Sequence, residues 1–159
     1  MKKEYEVYLK DPNDPEMKKK LQGLKKRKKD LDRLFHEEHH KAFEEIDCLK
    51  CANCCKITSP IFTTQDIGRI AKKFKMKESA FIAHYLRIDE DEDYVLQSSP
   101  CAFLNEDNTC FIYDFRPNAC REYPHTDRKN MYQILNLTRT NSGMCPAVGK
   151  IVSEILKAI

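Results

Sequence analysis

The feature that most constrains this chain is its eight cysteines, four of which stand within eight consecutive residues: Cys48, Cys51, Cys54 and Cys55. The other four are spread along the later part of the chain: Cys101, Cys110, Cys120 and Cys145. The chain begins Met-Lys-Lys without the apolar stretch of a secretory signal, so we expect a cytoplasmic protein. In the reducing cytosol structural disulfides are rare, and metal binding is the usual reason for many thiols. A disulfide framework is the alternative if the chain is exported.

The spacing within the cysteine run indicates what kind of site it forms. Two residues separate Cys48 from Cys51 and Cys51 from Cys54, which lets consecutive thiolates turn toward one point, as in ferredoxin ligand loops. The adjacent pair Cys54 and Cys55 is unusual, because neighbouring side chains diverge in most conformations. The two could serve two metal sites, or one could bind while the other packs as a buried thiol. Zinc and a 4Fe-4S iron–sulfur cluster both accept four thiolates. The adjacent pair favours a cluster or two neighbouring sites over a single zinc ion.

The remaining cysteines lie on separate predicted elements. Cys101 and Cys110 flank a hairpin predicted from two short apolar runs, with strands at 101–104 and 110–113. Cys120 belongs to a short helical turn, and Cys145 precedes the proline that starts the last helix. We predict that all eight cysteines are metal ligands or thiols beside them, because a bound metal would link elements that are otherwise weakly connected.

The N-terminal part predicts one long charged helix. Asp14 followed by Pro15 is a typical helix start, and only Gly23 interrupts the helical pattern before Ile46. Residues 18–29 contain eight basic residues and no acid. These cations could bind a nucleic acid or an acidic protein, or they could form a helix face exposed to solvent. No window is apolar enough for a membrane span, so we expect no membrane partner.

The rest of the chain predicts a mixed architecture. Helices are predicted after Thr63, whose pairing with Asp66 resembles a capping box, at 78–86, and after Cys145. Short strands are predicted at 94–97 and 131–137. The expected fold is a small metal-stapled α+β domain at 47–159, preceded by an N-terminal charged helical segment at 1–46.

Taken together, these motifs resemble those of the YkgJ-type cysteine-cluster family, the CxxCxxCC zinc- or iron-chelating domain. The resemblance is carried by the cysteine run and by the segments Pro100-Cys-Ala-Phe-Leu104, Cys110-Phe-Ile-Tyr113, Arg116-Pro-Asn-Ala-Cys-Arg-Glu-Tyr-Pro124 and Cys145-Pro146. It covers residues 46–150 and implies a metal-chelating domain. A related cysteine motif occurs in flagellin lysine N-methylases, which raises an enzyme as an alternative.

Four further residues are candidates for a role beside the metal. Arg116 and Arg121 bracket Cys120 and could donate to cluster sulfur or bind an anionic substrate. The alternative is a buried salt bridge, with Glu122 or Asp66, that locks the short helix to the sheet. Tyr123 could hydrogen-bond a ligand sulfur but is more simply a core aromatic. His125 could replace a cysteine as ligand, although a surface role is simpler with eight cysteines present.

Three functions follow. The first is a metal-binding protein that holds an iron–sulfur cluster or zinc for stability, storage or relay. The second is an iron–sulfur-dependent enzyme that modifies a protein or small molecule by methylase-like or redox chemistry. The third is an adaptor that binds nucleic acid or a protein through its basic N-terminal helix.

Overall fold

Ten α-helices and one small antiparallel sheet make up the structure, a computed structural model that describes residues 1–159. In chain order they are α1 (Lys3–Glu6), α2 (Pro15–Leu24), α3 (Lys28–Glu45), α4 (Cys48–Cys51), α5 (Asn53–Ile57), α6 (Thr64–Lys73), α7 (Glu78–Tyr85), β1 (Leu86–Ile88), β2 (Tyr94–Leu96), α8 (Asn118–Glu122), α9 (Leu135–Ser142) and α10 (Pro146–Lys157). The predicted α+β class is confirmed. None of the helices has both the length and the apolar composition that a membrane span requires.

The elements group into two compact units. The terminal unit consists of Met1–Asn53 and Pro124–Ile159, and the central unit consists of Cys54–Tyr123. The boundary between a helical segment at 1–46 and a metal-binding domain at 47–159 stays a prediction. The two units described here are defined by the packing of the chain instead.

The long N-terminal helix predicted from Pro15 to Ile46 is wrong in one respect, because the structure has two helices there. The start is confirmed: Asp14 caps α2 by accepting the N–H of Glu16 at 2.8 Å. The helix ends at Leu24, and α3 begins at Lys28. In one straight helix Lys28 would follow Leu24 on the apolar stripe and would have to be buried. The break leaves Lys28 exposed.

The core of the terminal unit forms where α10 packs on α3 and α9. The buried face of α10 consists of Val148, Ile151, Val152 and Ile155, as its periodicity predicts. Gly149 lies against the N-terminal segment, and a Cβ built on it would meet the carbonyl oxygen of Tyr8 at 1.9 Å. A side chain at this position is therefore excluded unless the backbone moves.

The central unit is organised by α6, α7 and the β1–β2 hairpin around an aromatic core. The predicted capping box is confirmed, since Thr63 and Asp66 bond reciprocally at the start of α6. β1 pairs with β2 in antiparallel register, with Leu86 opposite Leu96. The largest buried side chains here are Phe81, Ile67, Ile70 and Ile112.

Three predicted strands, at 101–104, 110–113 and 131–137, are absent from the structure. The 101–113 region forms a turn with a single bridge between Leu104 and Cys110 instead of two strands. Residues 131–137 form a 3₁₀ turn, Met131–Gln133, that leads into α9. Met131 and Leu135 are both buried, and their spacing of four residues is helical. A short apolar run does not distinguish strand from helix by periodicity alone.

Candidate metal centre

Four thiols of the central unit come from four separate segments of the chain. We call Cys55, Cys101, Cys110 and Cys120 the central thiol set. Backbone contacts connect their segments: the N–H of Cys101 donates to the carbonyl of Cys55 at 2.8 Å. The turn between Cys101 and Cys110 closes when Phe111 donates to Phe103, also at 2.8 Å. The hairpin predicted from the sequence therefore brings two of the thiols together, although it lacks strands.

The four thiols influence one another's protonation. Burial is the main cause that raises the pKa of Cys101, Cys110 and Cys120, in the last case to about 12. Charge on Cys55, Cys101 or Cys110 further raises the pKa of Cys120, and each other pair within the set is coupled in the same way. Several thiolates in one buried place repel each other, so the thiols stay protonated unless a cation offsets their charge.

Cys54 and Cys55 are in contact, which differs from the divergence expected for neighbouring side chains. A hydrogen bond with Cys54 is the largest cause that raises the pKa of Cys55, followed by burial. Lys56 opposes both effects. Charge on Cys55 raises the pKa of Cys101, Cys110 and Cys120 in the central set.

A second group of thiols lies within the terminal unit. We call Cys48, Cys51 and Cys145 the terminal thiol set. Asn53 connects their segments, since its side-chain amide donates to the carbonyl of Met144 at 2.8 Å. Burial raises the pKa of Cys145 to about 11, the N–H groups of Val148 and Ala147 oppose this, and Cys48 and Cys51 add to it.

A buried salt bridge to Asp66 positions the segment that carries Cys120, and its basic partner is Arg69, not Arg116 or Arg121. The Asp66 side chain is fully buried. Its Oδ1 accepts from Arg69 at 2.7 Å and from the N–H of Asn118, the first residue of α8, at 3.2 Å. Arg69 also donates to the carbonyl of Arg116 at 2.8 Å. The pair therefore holds both ends of the turn from Arg116 to Asn118, two residues before Cys120.

Hydrogen bonds keep Asp66 ionised. Burial acts to raise its pKa, but bonds from Thr63, Arg69 and the N–H of Asn118 together hold the pKa below its ordinary value. The only sequence signals for this pair were the capping box and the three-residue spacing on α6. Neither indicates that the pair reaches α8.

Two of the four residues predicted to lie beside the metal, Arg116 and Arg121, contact the backbone near Cys120. Arg116 donates to the carbonyl of Tyr113 at 2.6 Å and lies 4.0 Å from the centroid of its ring. Arg121 donates to the carbonyl of Asp114 at 3.0 Å. Both guanidinium groups thus hold the backbone around Cys120, and the charge of Arg116 lowers the pKa of Cys110 and Cys120.

Tyr123 and His125 lie at the end of the central unit and in the terminal unit, respectively. The Tyr123 hydroxyl is buried. His125 has left-handed backbone, with φ at 64°. Their predicted roles beside the metal or in binding a substrate stay predictions.

The donor chemistry of the two thiol sets suits a thiophilic metal, although the side chains are not preformed around one. None of the eight cysteines forms a disulfide. No group of three or more His, Cys, Asp or Glu side chains is arranged so that it could hold a metal ion as it stands. Soft thiolate donors select zinc and iron–sulfur clusters over magnesium or calcium. The residues present therefore fit zinc or iron by their chemistry.

Comparison with known proteins gives one match. The family model CxxCxxCC, described as "Putative zinc- or iron-chelating domain", matches residues 47–145, which is more than half of the chain. No curated protein matches the chain. No solved structure matches it either. The matched range begins one residue before Cys48 and ends at Cys145, so it contains all eight cysteines. The chain belongs to the CxxCxxCC family of zinc- or iron-chelating domains.

Proposed function

We propose that this chain is a metal-binding module whose central thiol set holds zinc or an iron–sulfur cluster. One observation carries the proposal: four half-buried thiols from four segments of one unit are electrostatically coupled in every pair. Four thiolates complete a tetrahedral zinc site or occupy the four irons of a 4Fe-4S cluster. The bound group would supply either a structural link or an electron relay.

Binding is expected to order the central unit further. The thiols are protonated without metal and must lose their protons on binding, which makes affinity depend on pH. Because the thiols are not arranged around a metal as they stand, binding requires their side chains to reorient. Metal binding of this kind couples to folding in small thiolate domains, so the metal would add to the stability of the central unit.

The terminal thiol set is the second part of the proposal. Cys51 is buried, Cys145 is half-buried and Cys48 is exposed, and α4 and the start of α10 hold the three. Charge on Cys48 or Cys51 raises the pKa of Cys145. We assign to this set a separate capacity for a thiophilic metal. Cys54 belongs to neither set in this proposal; its role is the hydrogen bond with Cys55.

Anaerobic purification with elemental analysis and an absorption spectrum tests the proposal. Zinc in stoichiometric amount without colour supports a structural ion, and iron with sulfide and broad visible absorption supports a cluster. A protein that contains neither metal after purification, and that binds neither when zinc or iron is supplied to the reduced chain, would reject it.

The enzyme alternative receives less support from the geometry. It needs Arg116 or Arg121 to bind a substrate, yet both guanidinium groups donate to backbone carbonyls. These contacts favour a role in shaping the Cys120 segment. Two results together would support the enzyme alternative. The iron–sulfur form of the protein would reduce or modify a small molecule or protein, and Arg121→Lys would abolish that activity while the metal content stayed constant.

A further inference from the structure

The terminal unit carries a strongly basic surface that the thiol sets do not use. Its first part is residues 18–29, with eight cations and no acid. Met17, Leu21 and Leu24 on α2 are buried, which turns the other sides of the helix to solvent. Seven lysines of this segment are exposed, and Arg27 is half-buried. The break between α2 and α3 therefore lies within a run of exposed cations.

A second basic segment joins this surface from a distant part of the sequence. Asp32 on α3 accepts the N–H groups of Asn130 and Met131, each at 2.8 Å. His39 contacts the hydroxyl of Thr126 at 2.8 Å, which further holds this segment on α3. Arg128 and Lys129 are exposed on it. We call residues 18–29 together with Arg128 and Lys129 the basic surface.

The same packing adds an aromatic ring that the sequence run itself lacks. The ammonium group of Lys28 lies 4.6 Å from the centroid of the Tyr132 ring. Tyr132 is half-buried and packs against the core of the terminal unit, so the ring anchors Lys28 at the edge of the basic surface.

Most of these cations are not neutralised within the protein. Lys20 pairs with Glu16 at 2.7 Å, and Arg27 lies 3.7 Å from Asp30. Lysines without an ion pair are Lys18, Lys19, Lys25, Lys26 and Lys29. The nearby acids are engaged elsewhere, since Asp32 binds backbone N–H groups and Asp127 faces His36.

The start of α3 concentrates the positive potential. No side chain caps this helix, and Lys28 and Lys29 occupy its first turn together with one acid, Asp30, which lies 3.7 Å from Arg27. The positive end of a helix dipole normally attracts acids, so two lysines there are locally unfavourable. An external anion would relieve that repulsion.

The character of the partner follows from what the surface lacks. A membrane would need the apolar face of α2, which is already buried in the core. A protein partner would need an exposed apolar or aromatic centre, yet no exposed large hydrophobic side chain lies between residues 14 and 36 or 126 and 132. Phosphates require only cations. We propose that the basic surface binds the phosphate backbone of nucleic acid without sequence preference.

Fluorescence anisotropy with a labelled mixed-sequence 20-nucleotide RNA and the matching DNA tests this on the full, metal-loaded chain. The variant Lys25→Gln/Lys26→Gln/Lys29→Gln removes three unpaired cations. Lys72→Gln/Lys75→Gln/Lys77→Gln is the matched control, because it removes the same charge from exposed positions of the central unit. We expect wild-type affinity to fall steeply with salt.

The first variant should weaken binding about 10-fold or more and reduce the slope of log affinity against log salt by about 2–3, whereas the control changes both much less. Equal losses in the two variants, or none, would overturn the proposal. Polyglutamate that displaces the RNA at equal charge concentration would also overturn it, in favour of an acidic protein partner.

Discussion

Asp66 shows how much one side chain can contribute at the scale of a residue. It is buried, it caps α6, and with Arg69 it holds the turn that leads to Cys120. A buried charge that loses one partner is costly because the other partner is left uncompensated. Asp66 therefore connects the stability of the central unit to the position of a proposed ligand.

The first prediction concerns Asp66→Asn, which keeps the shape but removes the charge. We expect the free energy of unfolding in urea to fall by about 2–4 kcal/mol, because Arg69 loses its buried counter-ion. Glu90→Gln, at an exposed position of the same unit, should change it by less than about 0.5 kcal/mol. Equal stability of Asp66→Asn and wild type would contradict this account of the ion pair.

The second prediction concerns pH. Because the pKa of Asp66 is lowered in the folded state, its contribution is present above its unfolded pKa, near 3.8, and is lost as pH falls through the lower folded value. The stability difference between wild type and Asp66→Asn should therefore be constant above about pH 5 and shrink below pH 4. Urea unfolding at a series of pH values measures it, and a difference that grows on acidification would reverse the assigned sign.

At the scale of an element, Gly149 decides how α10 packs. Gly149→Ala places a methyl group against the Tyr8 carbonyl, so we expect unfolding free energy to fall by about 1–3 kcal/mol or more. Gly23→Ala is the matched control, because nothing lies within 4 Å of its Cβ and alanine favours helix; it should stabilise by about 0.5–1 kcal/mol. Thermal unfolding followed by circular dichroism compares the two, and a neutral Gly149→Ala would contradict the described packing.

Elements with local signals were predictable from the sequence. Asp14 with Pro15, the Thr63–Asp66 box and Pro146 each mark a helix start through contacts within one turn, and all three are confirmed. The strand predicted at 131–137 failed because burial of Met131 and Leu135, which depends on tertiary packing, selected helix over strand.

The candidate site was predictable in composition but not in arrangement. Spacing in the first cysteine run predicts a metal site, and the family match contains all eight cysteines. Their division into a central and a terminal set depends on which segments pack together, for example through Asn53 and Met144, and no local pattern contains that information. The hydrogen bond from Arg69 to the carbonyl of Arg116 could not be predicted for the same reason.

At the scale of the whole molecule, each unit has its own core and its own group of thiols. The central unit is small, and small cores often need a metal or disulfide to be stable. Stripping the metal with a chelator should therefore lower the melting temperature by roughly 8 °C or more, which corresponds to about 2 kcal/mol in a unit of this size. Restoring zinc or iron should reverse the shift, and a chelated protein with unchanged melting would argue against a structural metal.

The metal-to-chain ratio of two double variants tests the central claim most directly. Cys101→Ser/Cys120→Ser disrupts the central thiol set, and Cys48→Ser/Cys145→Ser disrupts the terminal set and serves as the comparison, with circular dichroism confirming that each variant remains helical. We expect elemental analysis to show that the first variant loses the metal of the central set while the second retains it. A Cys101→Ser/Cys120→Ser protein with the full wild-type metal content would contradict the account.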